Sequence, residues 1–186
     1  MAIFIPEHKT LFIHIPKTAG TSISNWINNN FISKEIQSKH TQISKISLEN
    51  FSFACVRNPY DRLISWYNFR LAKAYRDNNI PGNREFMLYC QENDGFETFV
   101  NDSNKTPGLL NSIWWTQKSF IDHNTVILKF ENLDEDFIKI QNKLDCHQPL
   151  GKFNVSKPTE IRYTQKSRKI VQEFFYEDFK HFGYEI

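Results

Sequence analysis

Three short apolar runs each give way to a segment with helical spacing. This alternation limits the fold of the 186-residue chain more than any other feature. Thr10–Ile15 (TLFIHI), Phe51–Val56 (FSFACV) and Thr125–Phe130 (TVILKF) are short, rich in β-branched and aromatic residues, and read as buried strands. After the first run, Ile23, Trp26, Ile27 and Phe31 recur at helical spacing, which predicts a helix over about Thr21 to Asn30. After the second, Asn58 suits a cap, Pro59 a first turn, and Asp61 the positive end of a helix. Leu63, Ile64, Tyr67 and Leu71 give that helix an apolar face. Two more helices are expected at Asp134–Leu144 and Gln165–Phe182, the last with Ile170, Val171, Phe174, Phe175 and Phe179 on one side. Strands alternating with helices predict an α/β fold around a mainly parallel sheet. Such sheets bind ligands beyond the carboxyl ends of their strands, where Pro16–Ser22 and Arg57–Asp61 should both lie.

The length suits one domain over residues 1–186, and the 17 Phe point to a core of large rings. Asp77–Asn83 and Asn101–Gly108 read as loops within it. A net charge of +2 argues against a general polyanion coat, and no nucleic-acid motif is present. Yet charge is unevenly spread. Arg57–Arg76 carries five basic residues and one acidic; Lys152–Lys169 carries six and one; Glu85–Asp102 has five acidic and no basic residue. The odd set Cys55, Cys90 and Cys146 contains no C-x-x-C pair and reads as free thiols in a reducing compartment. No apolar run is long enough for a transmembrane segment, and Pro6-Glu7-His8-Lys9 interrupts the start as no signal peptide would. The expected location is therefore cytoplasmic. No His/Cys/Asp/Glu cluster has metal-ligand spacing, and no metal is expected.

Pro16-Lys17-Thr18-Ala19-Gly20-Thr21-Ser22 joins the first strand to the first helix. Gly20 permits a tight turn, the first helical N–H groups favour an anion, and Thr18, Thr21 and Ser22 add hydroxyls. Lys17 adds positive charge, and nothing in the turn is acidic. This is the composition of a phosphate or sulfate cradle. It is not the ATPase loop G-x-x-x-x-G-K-[ST], because Lys17 precedes Gly20 instead of following it. An ordinary strand-to-helix turn with a Ser/Thr cap is the competing reading. A second anion site is expected around Arg57, at the end of the second strand, with Ser65 as a further donor. Arg62 also lies within the first turns of that helix, where it either adds to the site or simply faces solvent; a solvated basic helix face would give the same charge pattern.

Together, Phe12–Ser22 (FIHIPKTAGTS) and Val56–Tyr67 (VRNPYDRLISWY) resemble sulfotransferases that use 3′-phosphoadenosine 5′-phosphosulfate (PAPS). The closest resemblance is to the carbohydrate branch, which includes heparan sulfate 2-O-sulfotransferases and short bacterial relatives. Val126–Leu133 (VILKFENL) and Asp178–Tyr184 (DFKHFGY) look like later landmarks of the same family. The resemblance implies a P-loop-like three-layer sandwich, with helices flanking the sheet. It also implies that Lys17, Thr18, Ala19, Gly20, Thr21 and Ser22 hold the 5′-phosphosulfate, and that Arg57 and Ser65 hold the 3′-phosphate. No G-x-x-G-x-x-K segment is present, and Ser156-Lys157 is the substitute candidate for nucleotide contact. Lys17 would also stabilise the leaving phosphate.

Sulfuryl transfer needs a base for the acceptor proton. Of the six histidines, His40 occupies the place in chain order where the carbohydrate branch carries its proposed base. His14 is the rival, although a strand-end histidine is more often structural. Glu131, at the end of the third strand, is read as structural. Trp114-Trp115-Thr116-Gln117 could stack on a sugar but more often such rings anchor a core or loop. The expected partner is a carbohydrate or other hydroxyl-bearing acceptor. The alternatives are a nucleotide or sugar kinase with an atypical loop and a non-catalytic phosphonucleotide-binding module.

Overall fold

The computed structural model describes residues 2–36, 50–77, 79, 80, 84–86, 88, 95–103, 115–151, 153 and 161–186. It is a mixed α/β protein whose residues fall into two units: Met1–Asn58 with Thr116–Val155, and Pro59–Trp115 with Ser156–Ile186.

The first unit holds a five-stranded sheet. Its strands are β1 (Ala2–Ile5), β2 (Thr10–Ile13), β3 (Lys34–Ile36), β4 (Phe51–Val56) and β5 (Val126–Lys129), in the order β3-β1-β2-β4-β5. β1 pairs antiparallel with β2 and β3, whereas β2–β4 and β4–β5 are parallel. Four strands therefore run one way and β1 the other. β1 was not expected. Pro6-Glu7-His8-Lys9, read as an interruption, is a hairpin connection: a 3₁₀ turn over Pro6–His8 followed by Lys9 in left-handed geometry, φ 45°, its N–H bonded to Pro6 O at 3.1 Å. Ala2 thereby sits opposite Ile13 and Ile5 opposite Thr10. β3 is a short edge strand whose Lys34 and Glu35 are exposed, a composition that discourages further pairing.

Leu11, Phe12 and Ile13 are all buried, as a central strand requires. One side of the sheet contributes Ile3, Ile5, Phe12, Phe53, Cys55 and Leu128 to a core shared with Ile23, Trp26 and Ile27 of α1 (Gly20–Asn30). Phe12 and Phe53 rings lie 5.1 Å apart, and Trp26 meets Phe137 edge-on at 4.8 Å. Trp26 also donates its indole N–H to Gln148 O at 2.7 Å, so its polar atom is satisfied where the ring is buried. The helix expected over Asp134–Leu144 is two pieces, α4 (Leu133–Asp136) and α5 (Ile138–Lys143), which follow α2 (Pro59–Arg76) and α3 (Gly95–Ser103) in the chain. The break falls where Asp136 accepts the Lys129 N–H at 2.8 Å and Phe137 enters the core.

The second unit contains α2 (Pro59–Arg76), α3 (Gly95–Ser103), α6 (Gln165–Phe174) and α7 (Tyr176–Phe182). Leu63, Trp66 and Tyr67 of α2 pack with Phe96 and Phe99 of α3 and with Val171, Phe175 and Phe179. Ile64 and Leu71 are half-buried against this cluster, as their spacing predicts. Thr164 and Ser167 cap α6 reciprocally. The single helix expected over Gln165–Phe182 is broken at Phe175, whose ψ of 20° leaves helical geometry while its ring stays buried. Phe174, expected on the buried side, is exposed.

Candidate active site

β2 ends at Ile13, and the backbone turns before α1 begins at Gly20. Lys17 and Ala19 take left-handed φ values of 68° and 63°, a conformation that costs a residue with a Cβ roughly 1–3 kcal/mol. The turn is braced from within: buried Thr18 donates its hydroxyl to Ile15 O at 3.0 Å. That proton is committed to the loop, so Thr18 contributes its shape and its backbone. Gly20 is not at a left-handed position; the strain lies at Lys17 and Ala19 instead. What Gly20 supplies is space, because a Cβ there would overlap the imidazole of His14. His14 in turn stacks on Phe12, ring centroids 5.9 Å apart. The strand-end histidine is thus packed beside the first residue of α1.

The first hydrogen bond that closes α1 runs from Ile23 N–H to Ala19 O at 3.2 Å. The N–H groups of Gly20, Thr21 and Ser22 precede it and have no intrahelical acceptor, which leaves the positive end of the helix at this turn. Thr21 is exposed, whereas Ser22 is buried and its hydroxyl oxygen accepts the Phe153 N–H at 3.1 Å.

Arg57 follows the last residue of β4 and is half-buried. Its backbone is gripped by a side chain from far along the chain. The Arg57 N–H donates to Gln117 Oε1 at 2.9 Å, and Gln117 Nε2 donates to Arg57 O at 2.8 Å. The guanidinium carbon stands 4.1 Å from the centre of the Phe130 ring, within cation–π range. The next residue is held as well, Asn58 N–H donating to Glu131 Oε1 at 2.7 Å. Burial and the positive charge of Arg57 pull the Lys17 ammonium down from 10.5 to about 8. Lys17 and Arg57, forty positions apart, stand on the turns that follow the parallel neighbours β2 and β4, and the charge of one acts on the other. Two cations and a set of first-turn N–H groups match a polyanionic ligand in charge and donor chemistry.

Gln117 and Phe130 were not singled out as site residues from the sequence. Gln117 lay at the end of a tryptophan-containing stretch and Phe130 at the end of a strand, and neither carries a local pattern that announces a partner at Arg57. Ser65 is buried on α2, in the second unit. Arg62, for which solvent exposure was one of two readings, is fully buried and shares a helix face with Pro59 and Trp66. Its Nη1 donates to Trp115 O at 3.1 Å. His40, Ser156, Lys157 and Trp114 lie outside the described residues. Burial pushes the Cys55 thiol well above its ordinary range, so it packs as an inert small side chain. Among the described residues no group of three or more His, Cys, Asp or Glu is placed to hold a metal, and no helix is long and apolar enough to cross a membrane.

The family model described as the sulfotransferase family matches residues 1–185 of the chain. No curated protein and no solved structure matches it significantly.

Proposed function

Because the chain belongs to the sulfotransferase family, we propose that it moves a sulfuryl group from PAPS to a hydroxyl, and that the acceptor is a carbohydrate. The observation that carries the donor assignment is that the turns bearing Lys17 and Arg57 follow the parallel neighbours β2 and β4, and that burial first, and then the Arg57 charge, lower the proton affinity of Lys17. A ligand bearing phosphate and sulfate groups relieves that repulsion. The donor supplies an activated sulfur–oxygen bond whose cleavage leaves 3′-phosphoadenosine 5′-phosphate (PAP).

In this reading the backbone of Lys17 to Ser22 holds the 5′-phosphosulfate, and Lys17 offsets the charge that grows on the leaving phosphate oxygen. Arg57 and Ser65 hold the 3′-phosphate, and Ser156 and Lys157 contact the nucleotide. His40 takes the acceptor proton as the acceptor oxygen bonds to sulfur. The carbohydrate acceptor, the P-loop-like layering and a cytoplasmic location rest on the resemblance and the sequence composition.

Incubation with PAPS and a panel of saccharides and simple alcohols, followed by PAP release and acceptor mass, tests the reading. The expected result is stoichiometric PAP and an acceptor heavier by one sulfuryl group. His40→Ala is expected to lose about 100-fold or more in turnover while keeping PAP affinity. Phosphoryl transfer from ATP in place of sulfuryl transfer would replace this function with a kinase.

A further inference from the structure

β4 and β5 stay paired as far as Val56 and Lys129. Beyond that point β5 bends into a 3₁₀ turn over Phe130–Asn132, so the sheet offers Arg57 no next strand residue to pair with. Gln117 supplies what the strand would have supplied. One carboxamide gives the Arg57 N–H an acceptor and the Arg57 carbonyl a donor, at 2.9 and 2.8 Å. Gln117 itself cannot drift. It is wholly buried, it opens a 3₁₀ turn over Gln117–Phe120, and that turn is tied by Ser119 Oγ to Thr116 O at 2.6 Å and by the buried ring of Phe120. A wholly buried amide with both polar ends engaged has a fixed position, and it passes that rigidity to the residue it grips.

We propose that Gln117 is a positioning residue for the 3′-phosphate. It extends the sheet by one residue so that Arg57 leaves β4 in a single direction, with its guanidinium laid along Phe130. This inference rests on the donor assignment made above. Its signature is selective: loss of Gln117 should weaken recognition of the 3′-phosphate and leave the rest of the nucleotide alone, since the contacts to the 5′ group come from the turn at Lys17 to Ser22.

The test is calorimetric titration of PAP and of 5′-AMP, which lacks the 3′-phosphate, into wild type, Gln117→Ala, Arg57→Ala and the double variant. Gln117→Ala is expected to weaken PAP binding about tenfold and to leave the weaker 5′-AMP affinity within about twofold. In the Arg57→Ala background the same substitution should add nothing, because the guanidinium it positions is gone. Gln117→Glu keeps the size and the acceptor for the Arg57 N–H but loses the donor to the carbonyl. It should fall between wild type and Gln117→Ala, and it carries the test if the alanine variant does not fold. Wild-type PAP affinity in both Gln117 variants, or equal losses for PAP and 5′-AMP, would overturn the positioning role alone. A wild type that binds no PAP would overturn the donor assignment and this inference with it.

Discussion

Arg57 and Arg62 stand within one basic stretch of sequence and meet opposite surroundings. Arg57 is half-buried at the end of a strand, backbone gripped by Gln117, guanidinium against Phe130, its charge felt by Lys17. Arg62 is completely buried within the helical unit, donates to Trp115 O, and lies in the field of Asp178, itself fully buried. Burial lowers Arg62 to about 10 and Asp178 acts in the opposite direction, so it stays charged at neutral pH. A buried cation answered by a buried acid is a structural arrangement. Arg57, by contrast, is only half-buried, and its charge lowers the proton affinity of a second cation, Lys17. Counting charges along the sequence cannot separate Arg57 from Arg62; burial can.

The largest effect should come from breaking the structural half. Asp178→Ala leaves the Arg62 charge buried without its counterpart and is expected to destabilise the fold by about 3–5 kcal/mol, read from denaturant midpoints. A loss below about 1 kcal/mol would mean that the two residues are not a pair of consequence. Arg57→Ala should do the reverse: PAP affinity falls about 100-fold while stability changes by less than about 1 kcal/mol. Instability comparable with that of Asp178→Ala would erase the distinction.

The smallest effect is a pH dependence. Lys17 carries a proton below about 8 and loses it above. An anion bound beside it raises that value, so PAP affinity should be level from about pH 7 to 7.5, above the second ionisation of its phosphates at about 6, and then fall by at most about tenfold per unit above 8. Lys17→Met should bind more weakly and show no such fall. Stability runs the other way. Between about 8 and 10.5 the unfolded chain holds more protons at this residue than the folded one. Folding is thus penalised by Lys17 below 8, and the penalty is relieved as pH rises through that window.

Much of this was legible in the sequence. Phe51–Val56 forms a strand over its whole predicted length, and α1 differs from its expected span by one residue at its start. The turns that carry Lys17 and Arg57 follow β2 and β4, parallel neighbours in the sheet. These features are local: apolar runs, helical spacing and turn residues. The misses are features of tertiary origin. β1 hid because its hairpin turn has the composition of a break, and β3 because three residues with two charges show no period. The divisions at Phe137 and Phe175, both buried, carry no Pro or Gly to mark them in the sequence. Gly20 was read for its backbone freedom, and the structure uses its missing side chain to admit His14. Gln117 reaches Arg57 across sixty residues of chain, beyond any local pattern. Arg62 was within reach, because its spacing from Pro59 and Trp66 places it on their face of the helix.

The donor assignment is tested most directly by calorimetric titration of the wild-type protein with PAP and, separately, with ATP and magnesium. PAP is expected to bind more tightly than ATP by about tenfold or more, roughly 1.4 kcal/mol. Equal affinity, or a preference for ATP, would contradict it.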